Sequence, residues 1–118
     1  MMNLEDRIVR FAARCIKVCA TLPKSAVGSM SLADQLFRSS TSIAANYAEA
    51  CEAESAKDFV HKLKIAMKEL SETRIWLRLI GEAGYVENAK LADLLGESRE
   101  LSRILSASVT TAKKKIRV

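Results

Sequence analysis

The sequence predicts an all-α fold, an antiparallel up-down-up-down four-helix bundle, and three observations carry that expectation. Apolar residues recur at alternating spacings of three and four, the period of one helix face. Helix-breaking residues are scarce, with one Pro and 4 Gly in 118 residues. No stretch alternates apolar and polar as a half-buried strand does.

The first helix is expected over about 4–22, where Leu4, Ile8, Phe11, Cys15, Val18 and Leu22 form a continuous seam before Pro23. Gly28 and Ser29 extend the break. The second is expected over 31–52, with Ser31 as N-cap and a seam of Leu32, Leu36, Ser39, Ile43, Asn46 and Ala50. Ser55 followed by Asp58 resembles a capping box and opens the third, over 56–82. Its seam runs Phe59, Leu63, Ala66, Leu70, Thr73, Leu77, Ile80, with Gly81 and Gly84 ending it. The fourth, over 88–114, carries Leu91, Leu94, Ser98, Leu101, Leu105, Ser108 and Ala112, then frays into Lys113 to Val118. Short connections make consecutive helices antiparallel.

The length fits a single domain spanning 1–118. Hydrophobic residues at 49% and charged residues at 28% describe a globular chain, not a disordered one. Charges at Glu5, Asp6, Arg7, Arg10, Arg14 and Lys17 interrupt any N-terminal apolar run, so neither a signal peptide nor a membrane span is expected. Three cysteines without framework spacing point to thiols in a reducing cytoplasm. The net charge of +5 permits a polyanionic partner.

Two helices carry more apolar surface than one bundle core uses. Beside its seam the first holds Val9, Ala12, Ala13, Ile16, Cys19 and Ala20, so that about 200° of its wheel is apolar. The remaining sector holds a basic stripe of Arg7, Arg10, Arg14 and Lys17. On the third helix, Ile65, Trp76 and Leu79 lie away from the seam with Glu72 between them. Such faces suit a subunit interface; a wide core or a few exposed apolar residues is the plainer alternative.

The second helix carries a polar line of Gln35, Arg38, Ser42, Asn46 and Glu49. It is read either as a solvated face or as a structural polar network of Arg38, Ser42, Asn46 and Glu49 with Glu72. A buried carboxylate in such a network needs a donor or cation, since an unpaired one is costly.

At these residues the sequence resembles the four-helix bundle proteins related to those encoded by intervening sequences in bacterial 23S rRNA genes. Relatives include the accessory variability proteins of diversity-generating retroelements. The resembling residues are Ser42, Ile43, Asn46 and Glu49, then Ser55, Asp58 and Phe59, then Ala66 and Glu72, with Gln35 and Arg38 upstream. Two positions depart from the pattern. Ala50 stands where a Gly follows the Glu, and Lys68 and Glu69 replace a small Gly-Ser pair. The resemblance implies a homopentameric ring. The retroelement relatives bind nucleic acid and a reverse transcriptase, so it adds both, or another protein, to the candidate partners.

Three functions compete. The first is a non-enzymatic accessory protein binding RNA or DNA with little sequence preference through basic faces. Arg7, Arg10, Arg14 and Lys17 lead its site, supported by Arg99, Arg103 and the terminal lysines. Aromatics at 5% leave little for base stacking. The second is a protein-interaction scaffold without nucleic acid. The third, an enzyme or metal protein, has poor support. His61 is the only histidine, so no paired Glu-x-x-His motifs exist. Cys15 and Cys19 lie one turn apart with no second ligand pair. No catalytic residue, metal or cofactor is expected.

Overall fold

The computed structural model describes residues 2–116. It contains four helices: α1 (Leu4–Thr21), α2 (Ser29–Cys51), α3 (Ala56–Glu82) and α4 (Asn88–Ile116). They form a rod of 54 × 23 × 23 Å. No strand occurs among the described residues.

Side-chain pairings show the topology. Arg38 of α2 meets Glu69 and Glu72 of α3, while Glu49, further along α2, meets the earlier Lys62. Arg7 and Arg14 of α1 meet Glu97 and Asp93 of α4, again in descending order. Arg74 reaches Ser98, and Gly81 lies against Asn88 and Leu91. Neighbouring helices are therefore antiparallel. α1 packs on α2, α2 on α3 and α3 on α4; α1 touches α4 along a shorter stretch, and among the described residues the backbones of diagonal pairs do not come close. At one end, the Tyr85 hydroxyl donates to the Val27 carbonyl and ties the α3–α4 connection to the α1–α2 connection.

The seams fill one core. Ile8, Phe11 and Cys15 of α1 meet Leu36 and Ile43 of α2, with Leu63, Leu70 and Leu77 of α3 and Leu91, Leu101 and Leu105 of α4. The buried hydroxyls of Ser39, Ser40, Thr73 and Ser98 are hydrogen-bonded, whereas Trp76 Nε1 is buried with no partner among the described residues. The Thr73 hydroxyl donates to Ser39 Oγ at 2.8 Å, joining α3 to α2 inside the core. Most buried polar atoms in folded proteins are bonded in this way, because an unpaired one costs free energy.

Termini follow local chemistry. Asn3 Oδ1 accepts from Asp6 N at 2.8 Å, and Ser55 Oγ from Asp58 N at 3.0 Å. At the end of α3, Gly84 sits at φ 78. Tyr85 N donates to the Ile80 carbonyl and Gly84 N to that of Gly81, a Schellman closure needing a left-handed residue.

Four boundaries or placements differ from the sequence expectation. α2 begins at Ser29, not after Ser31, because left-handed Gly28 (φ 77) turns the chain and its carbonyl already accepts from Leu32 N. Gly81 does not end α3: it is helical and buried, and a Cβ there would lie 2.2 Å from Asn88 Oδ1, so glycine serves close approach of α4. Lys113 to Ile116 continue α4 instead of fraying, while Arg117 and Val118 lie outside the described residues. Trp76 packs against the core, and the exposed apolar residues of α3 are Ile75 and Leu79. The α2 terminus manages without the glycine that Ala50 replaces. Glu52 N and Ala53 N bond the carbonyls three residues back, with no positive φ.

Gly96 lies inside α4, exposed, with open space where a Cβ would stand. Gly96→Ala is therefore expected to stabilise the chain by about 0.5–1 kcal/mol, through helix propensity and a less free unfolded chain. Urea unfolding checks this; an unchanged or lowered midpoint contradicts it.

Candidate nucleic-acid interface and polar ribbon

The basic stripe of α1 is divided by its neighbour. Arg7 makes a two-pronged contact with Glu97, Nη2 to Oε1 at 2.7 Å and Nε to Oε2 at 3.2 Å. That bond raises the Arg7 pKa, opposed by a smaller effect of burial. Arg14 reaches Asp93 at 3.4 Å. Arg10 and Lys17 make no ion pair among the described residues and line a shallow hollow with Val9 and Ala13. So two of the four residues, Arg7 and Arg14, pair across to α4, and Arg10 and Lys17 do not. The faces of the antiparallel neighbour that decide this are invisible along α1 alone.

The polar ribbon separates into three parts. Arg38 Nη1 meets Glu69 at 3.0 Å and its Nη2 meets Glu72, while Gln35 Oε1 accepts from Nε. Half-buried Asn46 donates to the carbonyl of Ser42 one turn back at 2.9 Å and so stays on its own helix. Glu49 pairs with Lys62 at 2.9 Å. Arg38 and Glu72 come together as expected; Ser42, Asn46 and Glu49 do not join them. Glu69 and Lys62 are the partners that the sequence reading missed. The (i, i+3) spacing of Glu69 and Glu72 puts both on the α2 flank of α3 and was the available signal. The ribbon is mostly solvated, so its pairs contribute modestly.

A cationic region absent from that expectation lies on the α3–α4 seam. Arg74 donates through Nε to Ser98 Oγ at 3.0 Å and through Nη2 to the Ser98 carbonyl at 3.2 Å, and makes no ion pair among the described residues. Burial lowers its pKa, and the charge of Arg99 lowers it further. Arg78 and Arg99 border one hollow on the seam with Glu82, Asn88 and Leu95, and Lys64 and Lys68 border another, lined by α3 alone, with Met67 and Ser71.

A cleft of about 720 Å³ opens at the opposite end of the rod from the Tyr85–Val27 tie. Ala50, Cys51, Phe59, Ile104 and Ala112 line it, with Arg103 and Lys115 at its margin. Among the described residues no three His, Cys, Asp or Glu side chains gather to hold a metal. No helix among them is long and apolar enough to cross a membrane.

Two outcomes are expected. In double-mutant cycles, Arg38→Gln and Glu72→Gln couple, whereas Asn46→Leu and Glu72→Gln add independently within about 0.5 kcal/mol; strong coupling of the latter pair contradicts the division. Burial pushes the Cys15 thiol up to about 12, so it stays protonated and shielded at pH 8. Exposed Cys51 is then alkylated first in the native protein, and Cys15 only on unfolding. Mass spectrometry of the labelled peptides reads the order; early labelling of Cys15 contradicts it.

Comparison with known proteins places this architecture. Curated protein sequences give no match. The chain is similar to a protein of unknown function from the S23 ribosomal protein family of Bacteroides thetaiotaomicron, whose crystal structure is known. The two are 33% identical, the match covers 91% of this chain and 98% of that one, and the TM-score is 0.83. The family model for the 23S rRNA-intervening sequence protein matches residues 3–107, nearly the whole bundle. That range holds the Asn3 and Ser55 caps, the Arg38–Glu72 pair and most of the core, and the chain belongs to the 23S rRNA-intervening sequence protein family.

Proposed function

We propose that the protein is a non-enzymatic accessory protein that assembles into a homo-oligomer, a pentamer, and binds RNA or DNA through basic faces. The observation that carries this reading is an apolar face left uncovered on a basic chain. Val9 and Ile16 of α1 are 53% and 39% exposed, and Met30 and Phe37 of α2 are 61% and 50% exposed. The contact of Cys19 Sγ with the Ala33 carbonyl sets the register of these helices and brings Ile16 and Phe37 to the same height. Ala13, Ala20 and Ala48 widen the face between them.

Large apolar side chains gathered in this way favour association with a like surface. Assembly would then multiply the formal +5 of each chain. Phosphate contacts from several subunits add, and affinity falls steeply with salt. The family name ties these proteins to rRNA genes, which supports a nucleic acid as the polyanion.

A second reading, a protein-interaction scaffold without nucleic acid, draws on the end cleft. Its alanine-rich floor with Phe59 and Ile104 suits a docked helix or peptide.

Ile16→Asp with Phe37→Asp is expected to reduce the particle to a monomer while preserving helical content. Light scattering and circular dichroism read the two quantities. A wild-type monomer, or a double variant that still assembles, contradicts the proposed interface. Wild-type protein should also gain mass with a nucleic-acid duplex at low salt and lose it as salt rises; an assembly indifferent to duplex leaves the scaffold reading.

A further inference from the structure

We infer that the outer seam between α3 and α4, centred on Lys64, Lys68, Arg78 and Arg99, is the surface that receives the phosphodiester backbone of a duplex. The inference rests on the nucleic-acid reading above and moves its site away from α1.

On α3, Glu69 and Glu72 turn toward α2 and are held by Arg38. On α4, Glu97 and Asp93 turn toward α1 and are held by Arg7 and Arg14, and Glu100 is held by Arg103. Glu69, Glu72, Glu97 and Asp93 are drawn to seams other than the one α3 and α4 share, and Glu100 pairs within α4. Lys64, Lys68, Arg78 and Arg99 are exposed and make no ion pair among the described residues. Only Glu82 borders the same hollows, beside Arg78 and Arg99. The outer α3–α4 seam is therefore cationic by segregation, not by overall composition.

The shape suits an extended polyanion. From Lys64 to Arg78 the α3 axis advances about 21 Å at roughly 1.5 Å per residue. That distance faces about six phosphates of one strand at roughly 3.4 Å of duplex axis each. Arg74, between Lys64 and Arg78, already lies against Ser98 and makes no ion pair among the described residues, so an anion over the seam would also complement a half-buried charge. The hydroxyl of Ser71 borders the same line. No aromatic side chain borders either hollow, so there is no stacking platform of the kind single-strand binders use. A backbone-reading surface for duplex RNA or DNA follows, with little base preference.

The test is fluorescence anisotropy of the full chain with labelled RNA and DNA duplexes, and with a single strand of equal charge, across a salt series. Lys64→Gln/Lys68→Gln/Arg78→Gln/Arg99→Gln should weaken duplex binding at least tenfold. It should also flatten the slope of log affinity against log salt by about 3–4, near 0.9 per lost phosphate contact. Arg78→Gln alone should flatten it by about 1. Arg10→Gln/Lys17→Gln on α1 should leave both quantities nearly unchanged. Circular dichroism confirms folding of each variant.

If instead the α1 variant loses binding and the α3–α4 variants do not, this surface is wrong while the nucleic-acid reading stands. No wild-type binding at low salt removes both. Tighter binding of the single strand overturns the duplex assignment. Displacement of duplex by polyglutamate at equal charge concentration overturns it in favour of an acidic polypeptide partner.

Discussion

The structure depends on burial of the apolar seam of α3. Leu63, Ala66, Leu70, Thr73, Leu77 and Ile80 have no exposure to solvent, and their helix is flanked on both sides by full-length partners. Burying each of the leucine and isoleucine side chains contributes on the order of 1.5–3 kcal/mol relative to exposure. Because that seam must be covered from both sides, α2 and α4 are fixed against it, and their other faces become the sides of the molecule. α1 completes the core through Ile8, Phe11 and Cys15 but meets α4 along only a short stretch. The Arg7–Glu97 and Arg14–Asp93 pairs bridge that shorter contact.

This placement governs the surface electrostatics. Antiparallel packing sets arginines of α1 opposite acids of α4, and Arg38 of α2 opposite two acids of α3. Each pair is partly solvated and contributes little to stability. Their larger consequence is distributional. Carboxylates are engaged on the α1–α4 and α2–α3 sides, and the side between α3 and α4 is left with cations. A chain of modest net charge thereby gains a side of nearly one sign.

The apolar surface is distributed unevenly as well. The face across α1 and α2 keeps Val9, Ile16, Met30 and Phe37 in solvent, although the core beneath them is filled. Apolar assembly on one side and cations on another are compatible duties for a bundle whose four seams differ in chemistry. The two surfaces lie on different sides of the bundle, so the proposed self-association and the proposed polyanion contact do not compete for the same residues.

The sequence by itself determined the helices, their order and most of the core. Helix periodicity and N-cap chemistry are local, and Leu36, Leu70 and Leu101 are buried because their spacing gives them one common face. It also marked surplus apolar residues on α1, since Val9 and Ile16 fall outside the seam by simple geometry. It misjudged Gly81 because close approach of α4 leaves no local trace, and it misjudged the α2 start because Gly28 caps through its backbone. Only the tertiary structure decided which charges pair. Arg7 and Arg10 are equivalent along α1 and differ only because Glu97 stands opposite one of them. Asn46 and Glu72 share no contact because register puts them on different turns. Ion pairing depends on side chains distant in sequence, whereas helix formation depends on neighbours within a turn or two. For that physical reason the bundle was legible in the chain, and the cationic seam of α3 and α4 emerged only once the helices were packed.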